Sequence, residues 1–198
     1  MNKQTTEYIS VAETAKLVRQ ALKRAFPGVA FSVRSKSYSG GASVDVYWTD
    51  GTRTTDVDPI IKQYQGGDFD GSIDLKYSQT HYLRPDGTTM TAYNPGTSGA
   101  GGSDPSEDNR GLAEVMPENV RVVRFSADFV FSNRSISDWE QKEQGAADYI
   151  RSHCACTGER PNDQFGTRWV NELARAMVRD QGEGETIETV FNRVIMQK

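Results

Sequence analysis

The segment from Arg34 to Gly41, RSKSYSGG, combines residue types that bind anions with one that stacks on rings. Consecutive backbone N–H groups in a glycine turn can hold an anion, and nearby cations strengthen such a site. The tyrosine at position 38 offers a ring face on which a nucleic-acid base can stack. We therefore expect a nucleic-acid or anion site made by Arg34, Lys36, Tyr38, Gly40 and Gly41, together with Lys16 and Lys23 from the segment before it.

This pattern has a simpler interpretation that stays open at the sequence level. A Gly-Gly pair between two strands often forms only a turn. In that case Tyr38 packs back on the sheet and the cations keep the surface soluble. Local charge favours binding here, because residues 1–48 carry seven basic and three acidic side chains, whereas residues 49–118 carry five basic and twelve acidic ones.

Two other groups of residues resemble metal sites, and both are incomplete. In the acidic segment from Asp68 to Asp74 the glycine comes too early for a calcium loop, and the twelfth position, Gln79, is not a carboxylate. The sequence His153-Cys154-Ala155-Cys156 offers three zinc ligands, but a closed site needs a fourth, and His81 is the only other histidine. We predict that the protein needs no metal and no cofactor.

Motifs of covalent catalysis are absent from the sequence. It contains no Gly-x-Ser-x-Gly elbow and no phosphate loop ending in Gly-Lys-Ser/Thr. This lowers the odds of an enzyme and leaves that question open.

These residues must be positioned by elements that the hydrophobic pattern predicts. Ser10 begins the capping box S-V-A-E of a helix that ends at Pro27-Gly28. Alternating apolar residues then predict a hairpin across Ser39-Gly40-Gly41, a second helix near 55–65, a strand at 73–77 and a hairpin turning at 85–87. The predicted fold class is α+β, with a small antiparallel sheet packed by helices and a helical C-terminal layer.

The second half of the chain begins with a change in composition. We predict an α+β domain over residues 1–94, a mobile loop or linker over 95–119, and a strand plus three helices over 120–198, docked on the first domain. Strand character returns from Val120 to Phe131, and S-D-W-E at Ser137 predicts a second capping box. The helices then carry Trp139 and Trp169 as core anchors of a helical subdomain, or as a layer that docks on the N-terminal sheet.

Composition suits a globular protein in the cytoplasm. The chain has 198 residues, a net charge of −4, no long apolar run and no apolar leader at its N-terminus. Its two cysteines lie too close together for an unstrained bridge, which favours reduced thiols.

Two blocks carry a resemblance to a known family. They are AFPGVAFSVRSKSYSGGASVDVYWTDG at 25–51 and FDGSIDLKY at 69–77, supported by FSADFVFSNR at 125–134 and FGTRWVNELARAMV at 165–178. Together they resemble the twenty-ninth of the large polyvalent protein-associated domains. The resemblance implies a protein of phages, plasmids or integrative elements that enters the recipient cell with mobile DNA. It implies no catalytic residues.

The expected function is therefore that of a non-enzymatic accessory protein of a mobile element. Its expected partner is a host defence component, with single-stranded nucleic acid as the alternative and no membrane. An enzyme acting on nucleic acid or a nucleotide, or a structural module of a larger assembly, are the remaining hypotheses.

Overall fold

A computed structural model describes residues 6–71, 74–93, 119–153 and 164–196. The loop or linker predicted over 95–119, apart from Asn119, and both cysteines lie outside these residues. The chain forms two compact units, one made of residues 1–48 and 54–133 and the other of 49–53 and 134–198. Strands and helices together confirm the predicted α+β class.

The first unit holds most of the strands. Its elements are β1 (Glu7–Ile9), α1 (Val11–Ala25), β2 (Ser32–Tyr38), β3 (Gly41–Thr49), α2 (Thr54–Ile61), a 3-10 turn (Lys62–Tyr64), β4 (Gly67–Asp70), β5 (Leu75–Ser78), β6 (Thr80–Leu83), β7 (Thr89–Tyr93), β8 (Arg121–Phe125) and β9 (Phe129–Ser135). The last residues of β3 and of β9 belong to the second unit. The strands form three sheets, in the orders β1-β8-β6-β7, β2-β3-β9 and β4-β5.

Helix α1 begins with the predicted capping box. The Ser10 side chain accepts a bond from the Glu13 backbone, and the Glu13 carboxylate accepts one from the Ser10 N–H. Its buried side, which includes Val18 and Leu22, shares one hydrophobic core with Val33, Val44 and Val46 of the neighbouring sheet. The helix therefore covers the inner face of the β2-β3-β9 sheet.

The hairpin predicted across Ser39-Gly40-Gly41 is confirmed. β2 and β3 pair antiparallel with Tyr38 opposite Gly41, which leaves Ser39 and Gly40 as the two turn residues. Gly40 has a φ of +84°, a conformation that residues with a Cβ rarely adopt.

The stretch with strand character after Val120 forms two strands in different sheets. β8 pairs with β1 in parallel and with β6 antiparallel, so the four-stranded sheet is mixed. The backbone N–H of Ser126 then bonds Ile9 of the first sheet, and the N–H of Asp128 bonds Ala42 of the second. Because the chain changes partner between these residues, the strand is interrupted there.

The second unit contains the predicted helices α3 (Trp139–His153), α4 (Gln164–Asp180) and α5 (Ile187–Met196). A separate core joins them, with Ile150, Leu173 and Met177 buried and Trp139 and Trp169 packed against it.

The capping box predicted at Ser137 is wrong. Both the backbone N–H and the hydroxyl of Ser137 donate to the Asp50 carboxylate, which comes from the 49–53 segment of this unit. Asp50 thereby takes the place that Glu140 would have in a capping box.

Among the described residues, none of the helices combines the length and apolar character needed to cross a bilayer.

Candidate functional site

Strand β2 is an exposed edge strand with one residue, Val33, in the core. Val33 is 6% exposed and packs in the core, whereas Arg34, Lys36 and Tyr38 are exposed. Because side chains alternate along a strand, these three residues lie together on the side away from α1. The structure therefore brings together three of the residues predicted to bind nucleic acid.

The central strand adds a tyrosine to this side. Val46 and Trp48 are buried, so Tyr47 between them faces outward, where 42% of it is exposed. The guanidinium of Arg34 lies over the Tyr47 ring, 5.7 Å from its centroid, in a cation–π contact. This contact holds Arg34 over the middle of the sheet.

Strand β9 contributes two phenylalanines on the same side. Val130 is 2% exposed and belongs to the core, so Phe129 and Phe131 point the other way. Their rings stack with centroids 6.0 Å apart, and Phe131 is 48% exposed. We call this surface the outer face; it consists of Arg34, Lys36, Tyr38, Tyr47, Phe129 and Phe131.

The glycine turn is already occupied by a group of the protein itself. A Cβ on Gly41 would lie 2.2 Å from the Asp128 carboxylate and 2.9 Å from the Tyr38 ring. That carboxylate accepts the N–H of Ala42 at 3.0 Å, and the Lys76 ammonium pairs with it at 2.8 Å. The N–H of Ala42 is thus used internally, and Gly41 serves to let Tyr38 and Asp128 approach.

The other two predicted cations lie elsewhere. Lys16 and Lys23 are exposed on α1, about half a turn away from its buried side. Since α1 covers the inner face of the sheet, these lysines point away from it. The structure does not bring them to the outer face.

An acidic side chain lies on the same side of the sheet, beside the residues of the outer face. Asp45 lies directly opposite Arg34 in the β2-β3 register and accepts a hydrogen bond from the Ser43 hydroxyl at 3.3 Å. A carboxylate here partly offsets the field of Arg34. The outer face is therefore mildly basic along β2 and apolar along β9.

Sequence reasoning missed the aromatic part of this surface. The alternation of Val44, Val46 and Trp48 is the signal from which the outward orientation of Tyr47 could have been predicted. No such signal exists for Phe129 and Phe131, because three consecutive apolar residues do not show which side is buried.

His81 is a buried residue that sequence reasoning considered only as a metal ligand. It is 0% exposed, its ring lies 5.0 Å from that of Phe125, and neither ring nitrogen has a hydrogen-bond partner among the residues that the structure describes. Burial lowers the pKa of His81 to about 4, an effect that the Gln65 backbone opposes. The imidazole is therefore neutral at pH 7.

Within the described ranges, no three His, Cys, Asp or Glu side chains come together in a way that could hold a metal ion. His153 stacks on Tyr149 with centroids 4.0 Å apart at the end of α3, and the cysteines beside it lie outside those ranges.

Comparison with known proteins bears on the first unit. The model of a family described as large polyvalent protein associated domain 29 matches residues 9–137. That span includes every residue of the outer face; the segment 165–178, for which we also noted a resemblance, lies beyond it. No curated protein and no solved structure matches the chain.

Proposed function

This chain belongs to the large polyvalent protein associated domain 29 family, and we propose that it is a non-enzymatic accessory protein of a mobile genetic element that binds single-stranded nucleic acid. The binding surface is the outer face, and it acts in the cytoplasm of the recipient cell. Support comes from one observation above all, which is that cations and exposed aromatic rings share one side of a three-stranded sheet.

The chemistry of the outer face matches that of a single strand. Arg34 and Lys36 are two residues apart on an edge strand and offer positive charge to neighbouring phosphates. Tyr38 and Tyr47 offer ring faces to bases that a single strand leaves accessible. Lys36 forms no ion pair within the part of the chain that the structure describes, so binding a phosphate breaks no internal ion pair of this lysine.

The test is a charge-matched pair of double variants. We expect Arg34→Gln/Lys36→Gln to weaken binding of a labelled 12-nucleotide strand at low salt by about tenfold, because two phosphates are left without a cation. Lys16→Gln/Lys23→Gln removes the same net charge from the opposite side of the unit and should change affinity less than about twofold. Fluorescence anisotropy with DNA and RNA measures both.

Two outcomes would overturn the proposal. One is that the wild-type protein shows no binding at micromolar concentration in low salt. The other is that both double variants lose affinity equally, because this would show a response to net charge alone.

A host defence protein is the second candidate partner, and the composition of the outer face favours it. Tyrosine and arginine are enriched at the energetic centres of protein interfaces. Pull-down from host lysate with and without nuclease separates the two candidates. Capture of a protein that survives nuclease and is lost in Phe131→Ala would support the protein partner.

A further inference from the structure

We infer that the two edge strands of the outer face bind different parts of a single strand of nucleic acid: β2 binds the phosphates, and Phe131 of β9 stacks on the bases. This inference rests on the proposed function and adds to it the orientation of the bound strand. The sugar–phosphate backbone runs along β2, and the bases extend over Tyr47 towards β9.

The distribution of charge across the sheet carries the first step. The outward residues of β2 include Arg34 and Lys36, whereas those of β9 are Phe129, Phe131 and Asn133, with no cation among them. Phosphates are therefore attracted to one edge only. A strand lying along β9 would form no ion pair with these residues.

Exposure of Phe131 carries the second step. The Phe131 side chain is 48% exposed, whereas the preceding residue, Val130, is buried in the core. Its ring stacks on Phe129 and still leaves about half of the residue exposed. A partly exposed aromatic ring provides a stacking surface for a base, and all four bases have a face that can use it.

Distance across the sheet carries the third step. Neighbouring strands lie about 4.8 Å apart, so β9 is about 10 Å from β2 with β3 between them. The β3 residue directly opposite Arg34 is Asp45, whereas Tyr47 lies two residues further along β3, opposite Ser32. Because the Arg34 guanidinium lies over the Tyr47 ring, a base whose phosphate binds Arg34 reaches β9 along this ring and passes beside Asp45. The ion pair of Asp128 with Lys76 also borders this path.

The experiment compares the salt dependence of binding in two kinds of variant. Phe131→Ala should lower the affinity for a single strand about tenfold, because a base no longer has a ring on which to stack. It should leave the slope of log K against log salt unchanged, because it removes no cation. Arg34→Gln/Lys36→Gln should instead reduce the magnitude of that slope by about 1.4, or about 0.7 for each phosphate that is no longer neutralised.

Matched controls make the result specific. Tyr8→Ala removes a ring that is 70% exposed on β1, in the four-stranded sheet, and should bind like the wild type. Phe131→Trp should retain binding and Phe131→Leu should not, because only the former keeps a ring. Thermal unfolding of each variant confirms that it folds. With 2-aminopurine in the strand, stacking on Phe131 should quench fluorescence, and Phe131→Ala should remove that quenching.

Failure of this inference is distinguishable from failure of the proposed function. If Phe131→Ala or Phe131→Leu binds like the wild type while the β2 double variant is impaired, the orientation is wrong and the proposed function stands. If the wild type does not bind, both are wrong. A change of salt slope in Phe131→Ala would also contradict the division between the strands.

Discussion

Gly41 and Tyr38 show how single residues shape the outer face. The Tyr38 ring crosses over Gly41 while remaining 47% exposed, and the Asp128 carboxylate fills the rest of the space beside that glycine. The Tyr38 ring therefore packs on the sheet, and its exposed part is still accessible for stacking on a base. Its position depends on the absence of a side chain at residue 41.

Replacing Gly41 by alanine should destabilise the first unit by about 1–3 kcal/mol, because the new Cβ displaces the Asp128 carboxylate and the Tyr38 ring. Chemical denaturation measures the change in the free energy of unfolding. Gly28→Ala is the control, since no atom lies within 4 Å of its added Cβ. Equal stability of the two variants would contradict this account of the turn.

Removing the charge of Asp45 should strengthen nucleic-acid binding. The carboxylate lies opposite Arg34 and repels phosphate, so Asp45→Asn should raise the affinity for a single strand about threefold at low salt, an effect that fades as salt rises. Anisotropy titrations at two salt concentrations measure this. Weaker binding in Asp45→Asn would mean that the carboxylate contacts the ligand favourably.

Local sequence patterns predicted individual helices and hairpins, but they did not predict which distant elements pack or pair together. The capping box of α1 and the β2-β3 hairpin depend on residues close in sequence, and both were predicted. The parallel pairing of β1 with β8 joins residues more than a hundred positions apart, for which periodicity gives no signal. The cap at Ser137 failed for the same reason, because Asp50 competes from a distant segment.

One arginine of α5 bridges the junction between α4 and α5. Arg193 donates to the carboxylates of Asp180 and Glu185, and this lowers the pKa of Glu185 to about 2. Arg193→Gln should therefore destabilise the second unit by about 2 kcal/mol. Hydrogen exchange of α5 reports this change in stability.

Arg168→Gln provides the comparison for that variant. It breaks an exposed ion pair with Glu172 on α4 and should leave the stability of the second unit nearly unchanged. If it destabilises α5 as much as Arg193→Gln does, the junction does not depend on the hydrogen bonds of Arg193.

At the scale of the molecule, the buried His81 makes the stability of the first unit depend on pH. Its pKa is about 4 in the folded state and about 6.5 when unfolded, so the unfolded chain binds the extra proton between these values. The contribution of His81 to the free energy of unfolding is therefore complete above pH 6.5 and is lost as pH falls towards 4. The total loss is about 3 kcal/mol.

Hydrogen exchange at pH 7 and pH 4.5 separates the two units and measures this effect. Protection of β6 and β8 should fall at pH 4.5 more than protection of α3, where His153 is exposed. In His81→Leu, which leaves no buried unpartnered nitrogen, the difference between the two pH values should shrink for β6 and β8. An unchanged pH dependence in that variant would assign the effect to other groups.

The sequence by itself determined the α+β class, the family and most of the helices and hairpins. These depend on composition, on caps and turns, and on apolar spacing within a few residues. It also placed Arg34, Lys36 and Tyr38 together, because alternation along one strand is local.

Only the tertiary structure decided which surfaces those elements share. It grouped β8 and most of β9 with the first unit, although the sequence had associated this stretch with the C-terminal helices. It placed Phe129 and Phe131 beside the hairpin, turned Lys16 and Lys23 away from it, and buried His81. Such pairings depend on which segments, distant in sequence, meet in the core. The free energy of that packing arises from many segments together, so the pattern within any one segment does not predict it.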